Sequence, residues 1–353
     1  MFKKFYLEEV ELLNKKLDEF NKKLIKEDNP FIKENLEYFK NLNSGGKLVR
    51  GSLVDLGYYL LKDNREYSND LALAYEVFQT AILVHDDIID RDATRRGKDT
   101  IHYANYKKYS SISKDKEELI DLSNSLAICM GDYGLYSSNK IISEAYQNDK
   151  KLGKILNNFN DVVLNTIKGE LLDVELPFQS KYNKLDSDLL YESIMKVYLL
   201  KTAYYTVIGP LTSGLILAGA DQNKINDIEK VAEKIGIAFQ IQDDILGIFS
   251  NEMGKVIGSD IREFKQTILY SHIINTDQKD EFLKYYGKED LTEENVNKVR
   301  ELFELAGSLD YAVDLMNKYY DQAVEELESI TWMDENKKLI FQGFIDYLRD
   351  RNK

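Results

Sequence analysis

Ala81-Ile82-Leu83-Val84-His85-Asp86-Asp87-Ile88-Ile89-Asp90 runs four apolar residues straight into a cluster of three aspartates. Helical periodicity begins at about Leu71, so these carboxylates are expected to close a helix that is mostly buried. Far downstream, Phe239-Gln240-Ile241-Gln242-Asp243-Asp244-Ile245-Leu246-Gly247 repeats the design. Charge carried into apolar surroundings is costly without counter-charge. Hard divalent cations, holding a polyphosphate between two facing acidic walls, supply that counter-charge with the right chemistry.

Outward from these two helices the chain continues to predict helix. Residues 1–43 form one or two amphipathic helices with a break near Asp28-Asn29-Pro30, and Gly45-Gly46 precedes a helix over about 47–62. Residues 62–70 are a polar loop. Residues 103–121 are rich in lysine and serine, with no apolar period before Leu119, and predict a solvated insertion or irregular helix. Helical patterns then cover 122–147, 152–176, 189–219, 225–249, 293–305, 309–327 and 336–350. Three prolines in 353 residues, with no Pro/Gly/Ser linker, point to an all-α fold in a single domain, 1–353.

Composition narrows the classes. Apolar residues make up 43% of the chain, ample for a core, yet mean hydropathy is -0.42 and no apolar run reaches membrane-spanning length. Cys129 stands alone, which excludes an internal disulfide and suits a reducing cytoplasm. The N-terminus turns acidic at Glu8-Glu9 and lacks the apolar core of a signal peptide. A net charge of -14 disfavours nucleic acid. It is also the wrong overall sign for an anionic substrate, so local cations must reverse the field.

Those cations sit beside the acidic clusters. Asp86 and Asp90, four residues apart, share one helix face where Mg²⁺ can bridge them, and Asp87 lies about 100° round. A solvated acidic helix end is the ordinary reading of such a cluster, but the apolar run before it weighs against that. Arg95-Arg96-Gly97 comes next, two guanidinium forks suited to phosphate. After Asp243-Asp244, the segment Gly254-Lys255-Val256-Ile257-Gly258-Ser259-Asp260 and then Lys265 suits a loop closing over phosphate. Gly45-Gly46-Lys47-Leu48-Val49-Arg50 puts Lys47 and Arg50 in a predicted first helical turn, where exposed N–H groups also favour an anion. Lys201-Thr202 interrupts a strongly apolar helix, and a functional lysine there outweighs a snorkelling one.

From about residue 40 to the C-terminus the assembly resembles the trans-isoprenyl diphosphate synthases, or polyprenyl synthetases. The resemblance rests on Gly45-Gly46-Lys47-x-x-Arg50, Gln79, Asp86-Asp87-x-x-Asp90 with Arg95-Arg96-Gly97, Gly131-Asp132, Gly169-x-x-x-Asp173, Lys201-Thr202, Phe239-Gln240-x-x-Asp243-Asp244 and the Lys255/Asp260/Lys265 segment. It implies a homodimeric helical bundle around a deep cavity. The implied reaction joins isopentenyl diphosphate head-to-tail to an allylic diphosphate (dimethylallyl, geranyl or farnesyl). By the same resemblance three Mg²⁺ ions, replaceable by Mn²⁺, bind at each active site. Asp86 and Asp90, with Asp87 beside them, hold two, while Asp243, with Asp244 near it, holds the third. Arg95, Lys201, Gln240 and Lys255 contact the allylic diphosphate, with Asp260 and Lys265 nearby. Lys47, Arg50, Gln79 and Arg96 hold isopentenyl diphosphate. Thr202, Gln240 and the face of Tyr205 steady the allyl cation.

The sequence departs from the family pattern at a few places. Gly51 replaces a common proline, Glu170 a common glutamine, Asp99 a proline, and Gly247 the last carboxylate of the second cluster. Residues just before the first aspartate set product length in this family. Ala81 and Ile82 are not bulky, while Phe78 lies one turn deeper, so geranylgeranyl diphosphate is the expected product, ahead of farnesyl or longer chains. A class I terpene cyclase lacks a use for Lys47 and Arg50, and a non-catalytic subunit tends to lose its aspartates. The basic end Arg349-Asp350-Arg351-Asn352-Lys353 is expected to be frayed.

Overall fold

Phe2, Phe5, Glu9, Leu13, Leu17, Asn21 and Leu24 form one buried stripe at helical spacing, and they define α1 (Phe2–Leu24). The same rule, with side-chain caps at the starts, builds most of the later helices. The computed structural model describes residues 2–183, 185–250, 258–288 and 290–350. Asn29 caps α2 (Pro30–Leu42) by accepting from the Phe31 and Ile32 N–H groups, with Pro30 at the first position where no N–H is missed. Next come α3 (Val49–Tyr59) and α4 (Asn69–Ile89), then a two-residue ladder of β1 (Thr94–Arg95) and β2 (Lys98–Asp99). α5 (Ile101–Tyr109), α6 (Lys116–Ala145), α7 (Leu152–Tyr182) and α8 (Ser187–Val197) lead into a π-helical segment, Tyr198–Ile208. α9 (Gly209–Ala218) and the long α10 (Gln222–Phe249) are followed by α11 (Ser259–Arg262), α12 (Ile268–Ile273), α13 (Lys279–Phe282), α14 (Glu293–Leu305), α15 (Ser308–Ser329) and α16 (Glu335–Arg349). The all-α expectation holds.

The chain divides into two compact units, Met1–Asn157 with Ser213–Ala220, and Asn158–Thr212 with Asp221–Lys353. In the first unit α4 is the spine, packed on α6, α3 and α1. It is buried on nearly every side, as a helix apolar all round must be. In the second, α10 packs on α15 and on the π-helical segment. No described helix is long and apolar enough to cross a membrane.

Four expectations need correction. The helix after Gly46 begins at Val49, because Leu48 takes a left-handed conformation (φ 52°), so Lys47 lies outside it while Arg50 keeps its place in the first turn. Residues 103–121 are not irregular helix: they hold the rest of α5, a short turn and the first residues of α6, started by Asp115 accepting from the Glu117 and Glu118 N–H groups. α7 continues through Pro177 to Tyr182. The predicted helix over 189–219 widens into π geometry just before Pro210, whose ring cannot donate to the preceding turn.

Candidate functional site

In the first unit the acidic cluster closes α4. The Asp90 N–H donates to the Asp86 carbonyl at 2.8 Å, so one helical turn separates two carboxylates on one face, as the spacing predicts. They sit at the C-terminal, electronegative end of the helix dipole, which raises the demand for a cation. Asp87 follows about 100° round the helix. It is buried and ion-paired to Arg95, and burial pushes its carboxyl up to about 7 against that arginine's pull. Arg95 also reaches Asp86 at 3.3 Å and Asp92 at 3.4 Å, so it caps the acidic turn from inside.

The hairpin after this turn aims the second arginine. Arg96 (φ 53°) and Gly97 (φ 72°) are its two central residues, both left-handed as a type I′ turn requires. The Thr100 hydroxyl ties its base to the Asp92 carbonyl at 2.7 Å. A β-carbon on Gly46 would lie 3.3 Å from the Arg96 guanidinium, so this glycine makes room for it. Arg50 is buried on the first turn of α3, Gln79 is half-buried on α4, and Lys47 is exposed with its carbonyl taken by the Tyr6 hydroxyl.

Sequence reasoning missed Glu76. This buried carboxylate accepts the Gly51 N–H at 2.7 Å and faces the charges of Arg50 and Arg96. Burial raises its pKa, and those contacts oppose the rise. Proline, the common residue at 51 in the family, has no N–H to give, so Gly51 and Glu76 belong together. A lone glutamate inside the apolar run 71–78 was the available signal. Gly131 is explained as well: a β-carbon there would lie 2.2 Å from His85 Nε2, beside Asp86.

In the second unit Lys201 sits in the π-helical segment, a geometry enriched at functional sites. Its Nζ is 2.6 Å from Asp173 and 2.9 Å from Glu170, so the glutamate that replaces glutamine gives it a second counter-ion. Gly169 lets α7 press backbone to backbone on Lys201, since a β-carbon would meet the Lys201 nitrogen at 2.2 Å. A hydrogen-bond chain crosses the next turn. The Ile268 N–H donates to the Tyr198 hydroxyl at 2.8 Å, and that hydroxyl donates to Asp244. Gln240 Nε2 donates to the other Asp244 oxygen at 2.7 Å, and Thr202 donates to Gln240 Oε1. The amide is therefore oriented from both sides.

Both Asp244 oxygens are engaged in that chain, and burial pushes its carboxyl up to about 8. Asp243 is only half-buried on the neighbouring face. Asp260 and Lys265 lie together, Nζ to carboxylate 3.8 Å, and Tyr205 is half-buried. Lys255 and the tail residues Arg351, Asn352 and Lys353 lie outside the described residues. Arg349 is not frayed: it donates to Asp321 at 2.8 Å and Asn317 at 3.1 Å.

Among the described residues no three metal-ligating side chains converge into a ready cage. The described non-glycine residues with positive φ are Leu48, Arg91, Arg96 and Phe264. Each is a candidate residue or adjoins one, and such strain, of order 1–3 kcal/mol each, gathers at functional sites.

The product-length residues are placed less simply. Phe78 is fully buried, edge-on to Tyr75 at 6.5 Å, and Ile82 is half-buried. Ala81 packs on α6, where a β-carbon on Gly134 would lie 2.8 Å from its own. Its small size is a demand of helix packing, so it does not by itself report on product length.

Known proteins are similar to this chain in sequence and in fold. The family model described as polyprenyl synthetase matches residues 29–304, through both acidic helix ends. The geranylgeranyl diphosphate synthase of Sulfolobus acidocaldarius is 30% identical over 295 residues, 82% of this chain and 82% of that one. A short chain isoprenyl diphosphate synthase of Methanocaldococcus jannaschii is 29% identical over 276 residues, 77% and 76% of the two chains. In fold, the crystal structure of a geranylgeranyl pyrophosphate synthase from Corynebacterium glutamicum, complexed with isoprenyl diphosphate and magnesium, superposes with a TM-score of 0.86 over 100% of both chains at 22% identity. Carrying its acidic helix ends and their cations in the family's order, this chain belongs to the polyprenyl synthetases, the trans-isoprenyl diphosphate synthases, and is a trans-prenyltransferase.

Proposed function

We propose that the enzyme condenses isopentenyl diphosphate with an allylic diphosphate (dimethylallyl, geranyl or farnesyl), and that geranylgeranyl diphosphate is the product. The allylic C–O bond breaks and inorganic diphosphate leaves. The isopentenyl double bond attacks the allyl cation, a C–C bond forms, and a proton passes to the departing diphosphate. The observation that carries the reading is the electronegative end of α4, with Asp86 and Asp90 on one face and Arg95 held against it.

Asp86 and Asp90 are suited to hold Mg²⁺ on the allylic diphosphate, and Asp243 a further ion, with Asp87 and Asp244 supporting from behind. When bound, the metal neutralises charge developing on the leaving diphosphate. Arg95 and Lys201, each held by carboxylates of its own unit, are assigned to that diphosphate, with Lys255, Asp260 and Lys265 beside it. Lys47, Arg50, Gln79 and Arg96 are assigned to isopentenyl diphosphate, which a terpene cyclase does not use. Thr202 and Gln240, fixed by the Asp244 chain, present dipoles to the cation.

The two compact units are read as one domain, 1–353, acting in the cytoplasm as a homodimer. Leu164, Ile167, Leu171, Val174, Phe178 and Tyr182 support the dimer: they form an exposed apolar stripe at three- and four-residue spacing along α7. The test is to incubate the enzyme with labelled isopentenyl diphosphate and each allylic primer, then resolve products by length. A twenty-carbon product is expected, and a dominant farnesyl product would refute the length assignment.

A further inference from the structure

α1 precedes residues 29–304, which the family pattern matches, and carries none of its motifs. Its buried stripe alone would make it ordinary packing. Three of its side chains nevertheless converge on one short stretch, residues 43–51. The Tyr6 hydroxyl donates to the Lys47 carbonyl. Roughly two turns on, Leu13 closes on Gly51, where a β-carbon would lie 2.7 Å from Leu13 Cδ1. About two turns further, Asn21 Nδ2 donates to the Ser44 hydroxyl at 3.3 Å, and Asn21 Oδ1 accepts from Asn43 Nδ2 at 3.0 Å.

The Asn43 contact passes on to α4. Asn43 Oδ1 accepts from the Thr80 hydroxyl at 2.7 Å, and Thr80 adjoins Gln79. Asn21, Asn43 and Thr80 are all buried, where an unmade hydrogen bond is costly. The network therefore fixes the start of the Gly45-Gly46-Lys47 stretch from two helices, and Tyr6 fixes its end. The Lys47–Leu48 peptide leads into the left-handed Leu48 (φ 52°) and then α3. Such a conformation persists only where the surroundings determine it. Holding that peptide's carbonyl also orients the backbone from which the Lys47 side chain departs. Tyr6 is itself held. Its ring stacks on Phe2 with centroids 5.7 Å apart, and in the next turn Glu9 pairs with Arg65 at 2.5 Å.

We propose that α1 is a working part of the isopentenyl diphosphate site, with Tyr6 and Asn21 as positioning residues that hold the loop bearing Lys47. The inference rests on the proposed function, which assigns Lys47 to that substrate, and extends it to a helix outside the family pattern.

The test separates the two substrates. Full-length protein is assayed with Mg²⁺, varying isopentenyl diphosphate and the allylic diphosphate in turn, with circular dichroism as a check on folding. Tyr6→Phe removes one hydroxyl from a half-buried ring. KM for isopentenyl diphosphate should rise about threefold to tenfold, the effect of one hydrogen bond, while KM for the allylic diphosphate stays as in the wild type. Asn21→Ala should show the same split; should it fail to fold, Tyr6→Phe decides alone. Tyr67→Phe loses a comparable bond, to Asp149 at 2.7 Å, outside the loop, and should change neither KM. An unchanged isopentenyl KM in Tyr6→Phe would overturn the proposal, as would an equal rise for both substrates. Lys47→Ala keeps the two readings apart. If it raises the isopentenyl KM and Tyr6→Phe does not, the proposal alone fails. If Lys47→Ala leaves that KM unchanged, the assignment of Lys47 fails and the proposal with it.

Discussion

Replacing Gly169 with alanine tests whether the grip of α7 on Lys201 sets the rate. The new β-carbon would lie 2.2 Å from the Lys201 nitrogen, 2.6 Å from its Cα and 2.8 Å from the Leu200 carbonyl carbon. All three are backbone atoms, so no side-chain rotation relieves the contact. Ordinary carbon contacts need about 3.5 Å, so α7 and the π-helical segment must part by roughly 1 Å. That movement stretches both Lys201 ion pairs, now 2.6 and 2.9 Å, beyond the length of a strong charge-assisted bond. Overpacking costs about 1–3 kcal/mol, partly offset by the roughly 0.5–1 kcal/mol that alanine gains over glycine in a helix. The protein should therefore stay folded, with Tm lower by a few degrees. A misplacement of about 1 Å costs around a hundredfold in rate. Single-turnover release of diphosphate should fall by that factor while circular dichroism shows native helicity. Gly153→Ala, on the same helix with open space at its β-carbon, is the control and should change neither. A wild-type rate in Gly169→Ala would show that the contact does not position Lys201.

Other contacts give further expected outcomes. Gly131→Ala should displace His85 and lower kcat at least about tenfold, and adding His85→Ala should restore part of the loss; no recovery would sink the steric account. Asp55 and Glu9 are fully buried together, and burial raises both carboxyls, Asp55 well above its usual range, with Arg65 and Ser68 as their partners. A raised carboxyl stabilises the fold below its unfolded pKa and loses that stability as pH climbs through the folded value. Asp55→Asn, which keeps an acceptor for Ser68, should thus gain Tm over wild type at about pH 8 and little at about pH 5; an equal gain at both would contradict the pair. Phe78→Ala should lengthen the products. The assay belongs at reduced temperature because the cavity costs about 3–5 kcal/mol, and an unchanged distribution would clear the ring of that role.

What was legible in the sequence and what was not have separate physical causes. The helices carrying Asp86–Asp90 and Asp243–Asp244 were visible because local periodicity and charge are written along one segment. The break at Asp28-Asn29-Pro30 was equally local, whereas the start of α6 at Asp115 was passed over inside a polar segment. Gly131 and Gly169 could be matched to a pattern but not explained, since each glycine answers to an atom far away in sequence. Leu48 was misplaced in a helix for a related reason: a left-handed leucine costs energy that only its tertiary setting repays. Glu76 went unnoticed because its partner is a backbone N–H on another helix. Ala81 pointed to a longer product only until its packing against Gly134 gave its small size another cause.

That this chain joins isopentenyl diphosphate to an allylic diphosphate in a metal-dependent step is open to a direct measurement. Diphosphate release from an allylic substrate is followed with and without Mg²⁺, and with and without isopentenyl diphosphate. The expected release requires both Mg²⁺ and isopentenyl diphosphate, is abolished in Asp86→Asn, and is matched mole for mole by new C–C bonds. Release that proceeds equally well without isopentenyl diphosphate, or no release at all, would contradict it.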